Sequence, residues 1–206
     1  MNRFFQLTCL LLMLVCQLTS CAQGKSENKE NSKMETKKVL VVYFSRTGEN
    51  YGVGNIKEGN TKIVAEMIAA QTKGDLFEIV PEKAYPEGYD ACTEVAKAEK
   101  SGNVRPAVKG DKRVEDYDIV FIGYPIWWGD APMPVYTFID KHQWQGKTVI
   151  PFCTHEGSGM CNESEIKVAC KGAEVLKGLG IYGSTAQKQR DKAKSAVTEW
   201  LKRLSI

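Results

Sequence analysis

Val39-Leu40-Val41-Val42-Tyr43-Phe44 runs directly into Ser45-Arg46-Thr47-Gly48. The first six residues are apolar on both faces and rich in β-branched side chains. That pattern predicts a strand buried inside a parallel sheet. Downstream, Thr61 to Thr72 has helical spacing, with Val64 and Ile68 on one line and Ile63, Met67 and Ala70 on the next. Gly74 stops that helix. Leu76 to Val80 reads as a second strand, ended by Pro81. Tyr89 to Lys100 reads as a helix with Ala91, Val95 and Ala98 facing inward.

The alternation continues to the end of the chain. Ile119 to Tyr124 is a third buried strand, followed by a short helix from Val135 to Lys141. Thr148 to Cys153 is a fourth strand, and its Pro151 predicts a bulge or local irregularity. Glu163 to Cys170 is a helix and Ala173 to Leu179 a weaker fifth strand. An amphipathic helix from Ala186 to Leu204 turns Ala193, Val197, Trp200, Leu201 and Leu204 inward. Short buried strands alternating with helices predict an α/β fold, one parallel sheet covered on both faces. Right-handed crossovers leave few topologies.

The chain has 206 residues, formal net charge +3 and seven Cys. The near-balanced charge, with no basic run interleaved with aromatics, argues against nucleic-acid binding. Upstream of the domain, Asn2 and Arg3 precede an apolar run from Leu7 to Val15, which is short for a membrane span. We read residues 1–20 as a secretory signal. Leu18-Thr19-Ser20-Cys21 resembles the lipobox of bacterial lipoproteins, which implies lipidation of Cys21. Residues 21–37 then form a polar, flexible tether, and 38–206 the folded domain. The expected location is extracytoplasmic, on the periplasmic face or cell surface, with the membrane touched through the lipid alone. Cys9 and Cys16 leave with the leader. Cys92, Cys153, Cys161 and Cys170 remain, and spacing alone leaves a disulfide among them open. No CxxC or Cys/His cluster has metal spacing, so no metal is expected.

In open α/β sheets ligands sit beyond the carboxyl ends of the strands, which directs attention to three loops. After the first strand come Ser45, Arg46, Thr47 and Gly48, and, eleven residues on, Gly59-Asn60-Thr61 opening the first helix. Glycines and hydroxyls at a helix N-terminus suit a phosphate. Neither a Walker loop nor a GxGxxG fingerprint is present. After the third strand comes Pro125-Ile126-Trp127-Trp128-Gly129-Asp130. Adjacent Trp side chains in such a loop suit a flat aromatic ligand. After the fourth comes Thr154-His155-Glu156-Gly157-Ser158-Gly159, whose glycines let backbone amides approach a ligand. His155 and Glu156 are expected to bind through their main chain, with side chains facing water. His142 is expected at the surface, and Asp130 has no single reading.

Together these loops resemble those of the flavodoxin family. Tyr43-Phe44-Ser45-Arg46-Thr47-Gly48 with Asn60-Thr61 is similar to the family's FMN phosphate loop, although residues 49–59 interrupt it. Arg46 falls at a position that varies in the family and can point to solvent. Pro125 to Gly129 resembles its flavin-stacking loop, through Trp127 or Trp128, and Thr154 to Gly159 its second flavin loop. The resemblance implies a doubly wound, five-stranded sheet of order 2-1-3-4-5 and FMN as cofactor. Its cofactor-binding residues would be Ser45, Arg46, Thr47, Gly48, Asn60, Thr61, Pro125, Ile126, Trp127, Trp128, Gly129, Thr154, His155, Glu156, Gly157, Ser158 and Gly159. Tyr51, within the interruption, would belong to the pocket or its lid. Three functions stay open: an electron carrier between redox partner proteins, an FMN-dependent NAD(P)H:quinone-type oxidoreductase passing electrons to a small acceptor, and a flavin-binding module without turnover. Flavodoxin carriers are typically acidic, which this chain is not, yet nothing in the sequence marks a nicotinamide site.

Overall fold

Where the sequence is apolar on both faces, the computed structural model places central strands. It describes residues 37–206, and the leader, Cys21 and nearly all of the tether lie outside the described residues. In chain order the elements are β1 (Val39–Tyr43), β2 (Gly48–Asn50), β3 (Gly54–Ile56), α1 (Asn60–Thr72), β4 (Asp75–Glu78), β5 (Val80–Pro81), α2 (Tyr89–Ser101) and β6 (Val108–Lys109). A 3-10 turn at Val114–Asp116 precedes β7 (Ile119–Pro125), α3 (Met133–Asp140), β8 (Thr148–His155), α4 (Glu163–Ala169), β9 (Glu174–Val175), β10 (Leu179–Tyr182), α5 (Gly183–Lys188) and α6 (Arg190–Leu204).

The main sheet is parallel, in the order β4-β1-β7-β8-β10, with β9 also pairing with β8. The strand order expected from the resemblance is present. Period-two alternation splits each strand between two cores. Leu40 and Val42 pack on the side of α3 and α4, with Val135, Phe138 and Ile166. Val41 and Tyr43 pack on the side of α1 and α6, with Ile63, Ile68, Val197 and Trp200.

Four expectations are corrected. First, β8 runs through Pro151 in unbroken register with β7. The irregularity lies in its other neighbour. The Val149 carbonyl accepts from Leu176 N–H, so two residues on, Pro151 faces the same side. There the fifth strand is split into β9 and β10, and no ladder partner needs the missing proline N–H.

Second, α2 buries Cys92 and Ala96, while Ala91, Val95 and Ala98 are exposed. Third, the final helix breaks at Gln189, which leaves helical dihedrals (φ −138°, ψ 55°) and separates α5 from α6. Fourth, His142 is buried, its ring tilted against Phe138 at 4.4 Å, with Asp111 at 3.0 Å and Glu115 at 3.6 Å. It pins the segment before β7 to the end of α3.

Cys92, Cys153, Cys161 and Cys170 are all free thiols. Burial pushes Cys153 and Cys170 up to about 12, so both are inert, apolar core groups.

Candidate functional site

Beyond the carboxyl ends of β1, β7 and β8 lies a cleft of about 350 Å³. Arg46 and Asn60 reach it from the first loop, and Pro125 to Gly129 from the second. The third contributes Thr154, His155, Glu156 and Ser158. Ser45, Thr47, Gly48, Thr61, Gly157 and Gly159 lie outside its lining. The sequence reading missed the opposite wall, where α2 supplies Tyr89, Cys92, Thr93 and Ala96, and Asn50 joins Tyr51. The burial of Cys92 and Ala96, one step off the most apolar stripe of α2, is what places that wall.

The interruption at 49–59 is an antiparallel hairpin, β2 against β3, with Tyr51 at its tip, 6.0 Å from Tyr89 between ring centroids. Arg46 does not point to solvent. Its guanidinium donates to the carbonyls of Glu49, Pro86 (2.7 Å) and Glu87 (2.5 Å). Glu49 in turn accepts the Tyr89 N–H at 2.9 Å, capping α2 with a carboxylate. A cation and an anion from the first loop therefore fasten hairpin and α2 into one wall.

The α1 terminus is left open. Gly59 is its N-cap and has no side-chain cap. A Cβ there would lie 2.1 Å from Ser45 Oγ and 2.7 Å from the Arg46 carbonyl, so only glycine fits. Ser45 Oγ accepts the Lys62 N–H at 3.1 Å, and the Gly59 carbonyl accepts that of Ile63 at 3.3 Å. The Asn60 and Thr61 N–H groups have no intrahelical acceptor, as at any helix start. Thr61 is buried, and its hydroxyl shares a 2.8 Å hydrogen bond with that of Thr154, joining the first loop to the third. Asn60 Oδ1, in the cleft lining, is buried without a partner among the described residues.

The second loop is a two-residue turn. Trp127 and Asp130 exchange backbone hydrogen bonds of 2.8 and 3.1 Å. Trp128 (φ 52°) and Gly129 (φ 74°) both occupy the left-handed region, as a tight primed turn requires. Glycine takes that geometry freely, whereas a Trp there is strained. Trp127 packs edge-on to Phe44 (5.3 Å) and Tyr85 (5.0 Å). Trp128 is half exposed, donates Nε1–H to the Thr93 carbonyl at 3.0 Å and lies beneath Lys97.

In the third loop the side chains of His155 and Glu156 turn inward rather than to water. His155 is buried against Tyr182, with Nδ1 accepting the Gly157 N–H at 3.0 Å. Desolvation lowers its pKa, opposed by the Glu156 charge. Glu156 caps α5 by accepting from Ser184 N–H at 2.6 Å and its hydroxyl at 3.1 Å.

These features fit a phosphorylated aromatic ligand. The open α1 amides suit a phosphate, the orphaned Asn60 oxygen suits a ligand hydroxyl, and Trp127 and Trp128 offer ring surface. The Arg46 guanidinium is already held by backbone carbonyls, so the anion would be met by amides rather than a side-chain cation.

The structural comparisons agree with this architecture. A protein from Bacteroides eggerthii assigned as a flavoprotein is 32% identical, with TM-score 0.66, over 82% of this chain and 99% of that one. One from Bacteroides uniformis, similarly assigned, is 30% identical, with TM-score 0.62, over 81% and 98%. A flavoprotein from Lactobacillus acidophilus, solved in complex with FMN, shares the fold at 24% identity and TM-score 0.57, over 76% and 97%. No curated protein matches this chain. The model of the flavodoxin family matches residues 38–203, and the chain belongs to that family.

Proposed function

We propose that this chain binds one FMN in the cleft and works by electron transfer through it. A flavin-binding redox role accords with membership of the flavodoxin family. The observation that carries the cofactor is the convergence of three loops, the Trp pair included, on one cleft beside the open start of α1. When bound, FMN supplies reversible uptake and release of electrons; the protein positions and tunes it. The Asn60 and Thr61 amides would hold the phosphate, Asn60 Oδ1 would accept from a ligand hydroxyl, and Trp127 or Trp128 would offer its ring to the flavin. His155 and Gly157 keep the third loop in shape, and the buried Thr61–Thr154 pair keeps water from the base of the site.

An FMN-dependent oxidoreductase acting on a small acceptor is the second reading. It is favoured by the near-neutral charge (+3 over the chain), which lacks the acidity that guides carriers to partner proteins. Anaerobic mixing of holoprotein with NADH or NADPH separates the two. A carrier keeps its yellow colour until a partner protein or dithionite is added. Rapid bleaching by the nucleotide alone would assign the enzyme.

We also propose that the domain is held at an extracytoplasmic membrane surface by lipid on Cys21. The reading is supported by the apolar run Leu7–Val15, the Leu18-Thr19-Ser20-Cys21 sequence and the polar stretch that follows. Cys21→Ala is expected to move the protein from the membrane to the soluble fraction, and full retention in the membrane would contradict the tether.

A further inference from the structure

Asp130 closes the tryptophan turn with its backbone, and its side chain reaches further. Oδ1 accepts three hydrogen bonds: Ala131 N–H at 2.7 Å, the Tyr136 hydroxyl at 2.6 Å and Asn162 Nδ2 at 3.0 Å. Oδ2 faces Lys100 Nζ at 3.7 Å. Lys100 also donates to the Trp128 carbonyl at 2.6 Å. Asn162, fully buried, turns its own Oδ1 to the Tyr124 hydroxyl at 3.1 Å. One carboxylate thus joins the turn after β7 to the loop after β8, to α3 and to α2. The turn it holds contains a tryptophan in the left-handed region, a conformation that persists only when its surroundings enforce it. Hydrogen-bond networks of this kind, partly buried and anchored on the buried Asn162, fix geometry.

We infer that Asp130 is a positioning residue for the flavin ring. Through Asn162 it holds the tryptophan turn against the third loop. Its negative charge, one residue from the cleft lining, lowers the reduction potential of the bound flavin. The inference rests on the FMN reading of the cleft, and two substitutions divide its halves. Asp130→Asn keeps Oδ1 as an acceptor for the three donors but removes the charge and the Lys100 pair. With a negative charge gone, reduction is easier. The ratio of reduced-flavin to oxidised-flavin affinity is expected to rise about tenfold, equivalent to about 30 mV for two electrons. Asn162→Leu keeps the charge and removes the side-chain tie from Asp130 to the loop after β8, leaving the Cys161 Sγ contact to the Gly129 carbonyl (3.5 Å) in place. It is expected to weaken FMN and riboflavin by the same factor, about tenfold, because the ring and not the phosphate loses its support.

An unchanged potential in Asp130→Asn overturns the electrostatic half. Undiminished ring affinity in Asn162→Leu, or a loss confined to FMN, overturns the positioning half. If the wild-type protein takes up neither flavin, the cofactor reading fails, and the clasp is then read from the apoprotein. Asn162→Leu must still change the near-ultraviolet dichroism of the tryptophans, and an unchanged spectrum overturns the clasp itself.

Discussion

His155 combines burial, an acceptor role at Nδ1 and a depressed pKa in a loop that borders the cleft. Protonation would charge a desolvated ring and remove the lone pair that holds the Gly157 amide. Because the folded pKa lies below the unfolded value of about 6.5, the unfolded chain binds the proton first. Stability is therefore lost as pH falls through and below about 6.5 and is complete above it. The urea midpoint of wild-type apoprotein is expected to fall more steeply between pH 7.5 and 5.5 than that of His155→Gln. Parallel slopes would show that His155 does not titrate on unfolding. At this scale the sequence misleads most. Arg46, His155, Glu156 and His142 all read as water-facing polar residues, yet Arg46 and Glu156 hydrogen-bond groups distant in the chain, and His155 and His142 are buried against Tyr182 and Phe138. Arg46 finds carbonyls some forty residues on, and Glu156 an amide twenty-eight residues on. Long-range hydrogen bonding leaves no local periodicity to read.

Elements are more legible because they repeat. Helix α1 and strands β1 and β7 follow their apolar patterns to within a residue or two. Helix α2 has the expected extent and the wrong face. Ala91, Val95 and Ala98 make the more apolar stripe, but the tertiary partners are the cleft and the turn carrying Trp128, and these select Cys92 and Ala96. The fifth strand divides opposite Pro151, where an uninterrupted ladder would demand a missing N–H. From the hairpin 48–56 the sequence offered only Tyr51, for the pocket or its lid, and Tyr51 does line the cleft. Its fastening to α2 through Arg46 makes the hairpin the cleft's outer wall. Arg46→Gln removes a guanidinium held by several carbonyls, and charged hydrogen bonds of this kind contribute about 1.5–3 kcal/mol when well buried. Arg46 is only partly buried, so a loss of about 1 kcal/mol in apoprotein stability is expected, with weaker FMN binding as the wall loosens. Unchanged urea denaturation and flavin affinity would contradict the fastening.

Over the whole molecule, alternation of strand and helix is enough to dictate a parallel sheet with two cores, and the sheet in turn dictates where a ligand site can form. That is why three loops spread from Ser45 to Gly159 could be read together in sequence, and why they meet at one end of the fold. The cleft's second wall was not legible, since it depends on the packing face of α2. The proposed function stands or falls with an FMN phosphate met by the start of α1. Titration of purified apoprotein with FMN and with riboflavin, followed by quenching of flavin fluorescence, tests this most directly. One FMN per chain is expected, with riboflavin at least about tenfold weaker because it cannot use the α1 amides. Equal affinity for the two flavins would contradict the phosphate assignment, and failure to bind either would contradict the site.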